Sequence, residues 1–175
     1  MTDLALTWNA DVFAADLILA DGRLATDGGM RTAILISLFS DARAADDDEL
    51  PENGTDRRGW WGDTQAREAG PEAGTARDAN RIGSLLWLLG RAKFTSQVLL
   101  QAQRACEDAL AWLLRDGIAS AVRVTVRPET REAGLTADVL RIAVEIDRPS
   151  GPARQRHDFT WNASTRAIAI TEEPV

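Results

Sequence analysis

The sequence is poor in the side chains from which most catalytic and metal centres are built. Its 175 residues include one cysteine, Cys106, and one histidine, His157. One cysteine cannot form a disulfide within the chain, and one of each cannot make a zinc site of Cys/His type. Any Ser-His-Asp arrangement would depend on His157, which lies among apparent strand residues. Lysine is almost absent: Lys93 is the single example, so nearly all positive charge is arginine. Two readings of that bias stand, planar bidentate contacts at interfaces and a GC-rich coding sequence. The formal net charge of -7 argues against nucleic acid as a partner, because phosphate binding needs clustered cations. No basic start followed by an apolar run opens the chain, and no apolar stretch approaches the ~18 residues of a membrane helix. The expectation is a soluble protein made in a reducing cytosol, with no membrane partner. "DGGM" (27–30) is too short for a dinucleotide fingerprint and reads as a helix start with a glycine turn. No cofactor and no metal are expected.

What is present can build a globular core: 45% of residues are hydrophobic and 27% charged, enough for one domain spanning 1–175. "LALTW" (4–8) alternates as a short strand, and "DLILADGRLAT" (16–26) reads as two short strands around Asp21-Gly22, a pair suited to tight hairpin turns. Thr26 or Asp27 can cap a helix over "GMRTAILISLFSDARA" (29–44), whose Ile34, Leu35, Leu38 and Phe39 form a buried face. "RIGSLLWLLGRAK" (81–93) predicts a second, very apolar helix ended by Gly90. "TSQVLLQAQRACEDALAWLLRDG" (95–117) predicts a third, with Thr95 as N-cap and Gly117 as stop. From 119 to 171 the pattern is antiparallel sheet. Val122, Val124 and Val126 face one way; Leu140, Ile142, Val144 and Ile146 do the same on the next strand; 154–161 and 166–171 add two more. The expected fold is α+β: three helices packed on a C-terminal antiparallel sheet, with a small N-terminal β unit and a long central loop.

That loop, 41–80, is too long for an ordinary connector. It starts acidic, with Asp46, Asp47, Asp48 and Glu49, whose spacing matches no calcium loop. Its centre is "DRRGWWGD" (56–63). Disorder does not favour tryptophan, so Trp60 and Trp61 fold over the core or anchor a partner, and the favoured expectation is a mixture in which one ring packs inward and the other faces a neighbour. Interface hot spots combine Trp and Arg, and Arg57, Arg58, Gly59, Trp60, Trp61, Gly62 and Asp63 supply both with room for close backbone approach. Asp56 and Asp63 can neutralise the two arginines internally. A glycosidase would need a carboxyl pair of unlike pKa. Asp63 and Glu68 lie near aromatic residues, but nothing in the sequence singles them out. Cys106 sits on the inner stripe of its helix, where a free cysteine is a small core residue.

The order of these blocks, "DLILADGRLATDGGMRTAILISLFSDARA", "DRRGWWGD", "GSLLWLLGRAK" and a long helix ending "LAWLLRDGIA", resembles the Mu-type phage tail baseplate wedge protein family over about residues 15–161. The resemblance implies a non-enzymatic wedge subunit and sheath initiator of a contractile tail, placed in the virion's tail baseplate and assembled in the bacterial host cytoplasm. Its implied partners are larger baseplate wedge proteins and the tail sheath protein, with the hub and spike as further candidates. Residues 57–63 would then dock the larger wedge protein. A free border of the sheet would template the sheath by strand addition, with Arg123, Arg141 and Glu145 on the wet face tuning partner choice. The rival readings are a lysozyme-like cell-wall glycosidase at the tail tip and an adaptor in a bacterial secretion baseplate.

Overall fold

A computed structural model of the chain describes residues 3–9, 14–27, 30–51, 54–60, 82–90, 92–130, 136–149 and 154–171. Its centre is a four-stranded antiparallel meander. β7 (Ala121–Thr130), β8 (Thr136–Asp147), β9 (Arg154–Asn162) and β10 (Ile168–Thr171) lie in the order β10-β9-β8-β7. The alternation read from the sequence sets its faces. Val124, Val126, Leu140, Ile142, Val144, Ile146, Phe159 and Trp161 are buried on the inner side. Arg123, Thr125, Arg127 and Arg141 are exposed on the other. A period of two in a one-sided sheet makes this assignment forced, since a slip of one residue would turn every valine to water.

Helix α1 (Arg31–Phe39) and helix α2 (Ser96–Arg115) cover the inner face. α2 packs along β7 through Ala102, Cys106, Leu110 and Leu113, all wholly buried. Burying a leucine such as Leu110 in this way is worth about 1.5–3 kcal/mol. Thr95 Oγ1 accepts from the Val98 amide (3.3 Å) at its start. At its end the amides of Ile118 and Ala119 both donate to Leu113 O at 2.9 Å, around Gly117 in the left-handed region (φ 69°). α1 contributes Ile34 and Leu38, and Phe39 meets Phe159 edge-on at 5.6 Å between ring centroids. Trp112 Nε1 donates to Ser37 Oγ (3.1 Å) and ties the helices together.

The described N-terminal residues form three short ladders: β1 (Asp3–Leu4) with β6 (Thr26–Asp27), β2 (Leu6–Asn9) with β3 (Ala14–Leu17), and β4 (Leu19–Ala20) with β5 (Arg23–Leu24). They meet at a three-way junction in which Ala5 N donates to Ala25 O (2.9 Å), Ala25 N to Ile18 O (2.8 Å) and Ile18 N to Ala5 O (3.1 Å). Asp21 and Gly22 both have positive φ (51° and 72°), the geometry a two-residue hairpin turn requires. Asp27 Oδ2 accepts from the Thr32 amide at 2.6 Å, and Leu6 N donates to Thr32 Oγ1 at 3.2 Å, so this unit holds the start of α1.

The expected arrangement of three helices on the C-terminal sheet is corrected by this structure. Among the described residues there are two α-helices, antiparallel sheet dominates, and α+β fits only in outline. Among the described residues of the leucine-rich stretch 81–93, the helical structure is a 3-10 turn, η1 (Leu86–Leu89). Its preceding backbone is engaged elsewhere: Ser84 N donates to Ser40 O (2.9 Å), and Ala42 N donates to Ser84 O (3.0 Å). Those long-range main-chain bonds compete with the first helical turn, whose nucleation is intrinsically costly. The same ties stop α1 at Phe39 instead of near 44, because Ser40 is already extended (φ -80°, ψ 145°).

Candidate functional site

The described part of the central loop is folded around two arginines. Its outgoing limb (41–45) and returning limb (56–59) are joined by Ala44 N to Arg57 O (3.0 Å) and by Arg43 Nη1 to Arg58 O (3.3 Å). Arg57 turns back into the acidic run. Its Nη2 donates to Asp46 O (2.6 Å), its Nη1 to Asp48 O (3.3 Å) and also to Ala45 O. Asp48 closes the same turn by accepting from Ala45 N at 2.7 Å. The acidic run therefore presents mainly carbonyls to the guanidinium, with the Asp46 carboxylate 3.7 Å from Arg57 Nε, while the Asp48 carboxylate closes the turn itself. Among the described residues no three or more His, Cys, Asp or Glu side chains converge as a metal site.

Arg58 adopts a left-handed backbone (φ 52°) and its side chain is mostly covered. Its Nη1 pairs with Asp41 Oδ2 at 2.7 Å, and its guanidinium carbon lies 4.3 Å from the centroid of the Trp87 ring. Trp87 is itself buried and donates from Nε1 to Ala42 O at 2.8 Å. A cation held between a carboxylate and an indole face is favoured by both charge and the ring quadrupole. Gly59 follows with φ 103°, and a Cβ there would stand 2.7 Å from Arg43 Cβ, so no other residue fits this crossing.

Beyond that crossing the loop presents Trp60, 42% exposed. It stands at the mouth of a cleft of about 640 Å³ between the loop, the end of α1, η1 and the β9–β10 turn, with Phe39, Trp87, Trp161 and Arg166 among its lining. Trp61, Gly62 and Asp63 lie outside the described residues, as does Glu68 of the glycosidase pair. Of the seven loop residues singled out by sequence, Arg57, Arg58, Gly59 and Trp60 are thus brought together. The two arginines are mostly covered, with side chains 22% and 19% exposed. Sequence reasoning missed Asp41, Gly83, Ser84 and Trp87 as the groups that hold the loop. The Gly-Ser pair ahead of a leucine run was the available signal, since it breaks a helix where one is otherwise expected.

The sheet's wet face is a lattice of arginines and carboxylates. Arg123 faces Glu145 across β7–β8, and Glu145 faces Arg156 across β8–β9. Asp147 takes Arg123 on one oxygen (2.8 Å) and Arg154 on the other (3.0 Å). Those two hydrogen bonds, Arg123 first, hold its carboxyl below the usual range, and the same contact raises Arg154. Arg141 lies 3.3 Å from Glu129, and Glu145 lies 3.8 Å from Arg156. His157 points to the inner side, opposite Val144 and stacked on Phe159 at 6.5 Å between centroids. Burial, and then Glu107, push the Cys106 thiol up to about 12, the behaviour of a core group and not of a nucleophile.

Comparison with known proteins adds three findings. Residues 30–153 match the family model described as "Phage protein GP46". The chain is 42% identical over 124 residues to "Baseplate protein gp46" of Escherichia phage Mu, covering 71% of this chain and 76% of that protein. It is 34% identical over 156 residues to "Mu-like prophage FluMu protein gp46" of Haemophilus influenzae, covering 89% of this chain and 94% of that protein. No solved structure gives a significant match.

Proposed function

The chain belongs to the phage protein GP46 family, and from that premise we propose that it works as a wedge subunit of a contractile-tail baseplate. The coarser part rests on kinship: it is a structural component of a phage baseplate, as the Mu protein's name states for its relative. The finer part concerns contacts. The shelf carrying Trp60 docks a larger wedge protein, with Arg57 and Arg58 shaping the shelf and the half-exposed indole entering the partner. The observation that carries this reading is the cost of that shelf: two covered guanidiniums, a left-handed arginine and an obligatory glycine hold an aromatic residue at a cleft mouth. Anchors fixed before encounter lose less entropy on binding.

The tail sheath would grow from β7, which borders the sheet and has no strand beyond it among the described residues. A strand border offers unpaired N–H and C=O groups to another chain. Pro128 and the register shift between Pro128 and Thr130 interrupt only the far end, leaving Ala121–Arg127 regular. Arg123, Arg141 and Glu145 sit beside that border and tune which chain adds.

The test is co-purification with the larger wedge protein encoded by the same phage. Trp60→Ala with Trp61→Ala should abolish it while thermal unfolding stays cooperative. Undiminished co-purification, or loss only through unfolding, overturns the docking role.

A further inference from the structure

α2 has a second face. Exposed Gln101, Arg104, Asp108 and Arg115, with half-buried Ala105 and Trp112 between them and the core, recur at three- and four-residue spacing beside the wholly buried stripe. Along them run two adjoining hollows of about 590 and 270 Å³, which share Leu85, Ala105 and Asp108. From Gln101 to Arg115 the helix rises about 21 Å, so the hollows make one groove three to four turns long. The floor is apolar and half-buried: Leu50, Leu85, Leu88, Leu89 and Ala92, with Ala105 opposite. The rim is acidic. Asp48, Glu49 and Asp108 line it together with one cation, Arg104, and Arg115 at the far end is matched by Asp116 at 2.8 Å.

We propose that this groove receives a basic amphipathic helix from a partner protein, its apolar stripe on the leucine floor and its Lys or Arg side chains against Asp48, Glu49 and Asp108. An apolar trough several turns long suits a helix that presents anchors at i, i+3, i+4 and i+7. The charge decides among occupants. An anionic membrane surface or a nucleic acid is repelled by this rim. A second copy of a chain with net charge -7 is disfavoured for the same reason.

The test uses the full-length protein and a fluorescein-labelled Leu/Lys peptide of about 15 residues with helical apolar spacing, long enough for the groove. Its scrambled isomer and a Leu/Glu counterpart serve as controls. The Leu/Lys peptide should bind saturably at one per chain, more weakly as salt rises, and both controls should fail. Glu49→Lys with Asp108→Lys should weaken binding about tenfold, since each exposed charge contact is worth a modest factor. Arg104→Glu should tighten it several-fold, a gain that partial unfolding cannot mimic. Equal binding of the scrambled peptide, affinities that ignore all three substitutions, or self-association that excludes the peptide would each overturn the assignment.

Discussion

Replacing Arg58 with alanine separates two roles that the guanidinium could have, an internal clamp or a direct contact with a partner. The structure makes it a clamp. The ion pair with Asp41 joins side chains 19% and 39% exposed, so it contributes no more than about 1 kcal/mol. Stacking on the buried Trp87 at 4.3 Å contributes about 1 kcal/mol more. Loss of both should cost about 2 kcal/mol, which with a urea slope of about 2 kcal/mol/M lowers the unfolding midpoint by about 1 M. Native-state hydrogen exchange should report the same loss. The Ala44 amide, bonded to Arg57 O, and the Leu110 amide in mid-helix, which opens only with the whole fold, should both exchange up to roughly thirtyfold faster. Arg58→Lys keeps the charge and loses the flat stack, so it should recover about half. If Arg58→Ala leaves the midpoint and the Ala44 amide untouched yet abolishes co-purification with a wedge partner, the guanidinium touches that partner and the clamp reasoning is refuted.

Gly83→Ala should destabilise the fold by about 2–4 kcal/mol, because its φ is 100° and the new Cβ would stand 2.5 Å from Ser40 O. Gly22→Ala, with φ 72° and nothing within 4 Å, should cost only about 1 kcal/mol by the same urea assay. The Cys106 thiol should resist a thiol reagent at pH 8 until the protein is unfolded. Its raised folded pKa means that stability is intact below the ordinary thiol value of 9.0 and falls as pH climbs toward about 12; Cys106→Ala should flatten that alkaline decline. Asp147 has the opposite sign. Its lowered pKa adds stability above the ordinary carboxylate range that is lost as pH falls through the folded value. Carboxyl NMR should show it titrating below 3.8 and moving upward in Arg123→Ala.

Where side-chain pattern and burial agree, the sequence was a sufficient guide. Val122 to Val126 and Leu140 to Ile146 alternate because one face of the sheet is wet, and that asymmetry is written residue by residue. α2 was readable from Thr95, its apolar stripe and Gly117 together. Leu85 to Leu89 defeated the same logic, since an unbroken apolar run carries no period. What decides its shape is main-chain bonding between Ser84 and residues 40 and 42, a tertiary event without a side-chain signature. The arginine pair was visible as chemistry and not as geometry. A guanidinium beside tryptophan reads as an interface group, and only the fold reveals that Asp41, Trp87 and the carbonyls of 45–48 already hold it.

The ring of amides at Ala5, Ala25 and Ile18 gives the amino-terminal region an all-or-none character. Each limb is two to four residues long, too short to persist alone, and each donor's acceptor belongs to the next limb round. No limb can arrive first or leave last. Because Asp27 and Thr32 couple this knot to the first turn of α1, trimming even the opening few residues should loosen a helix thirty positions downstream while sparing the sheet.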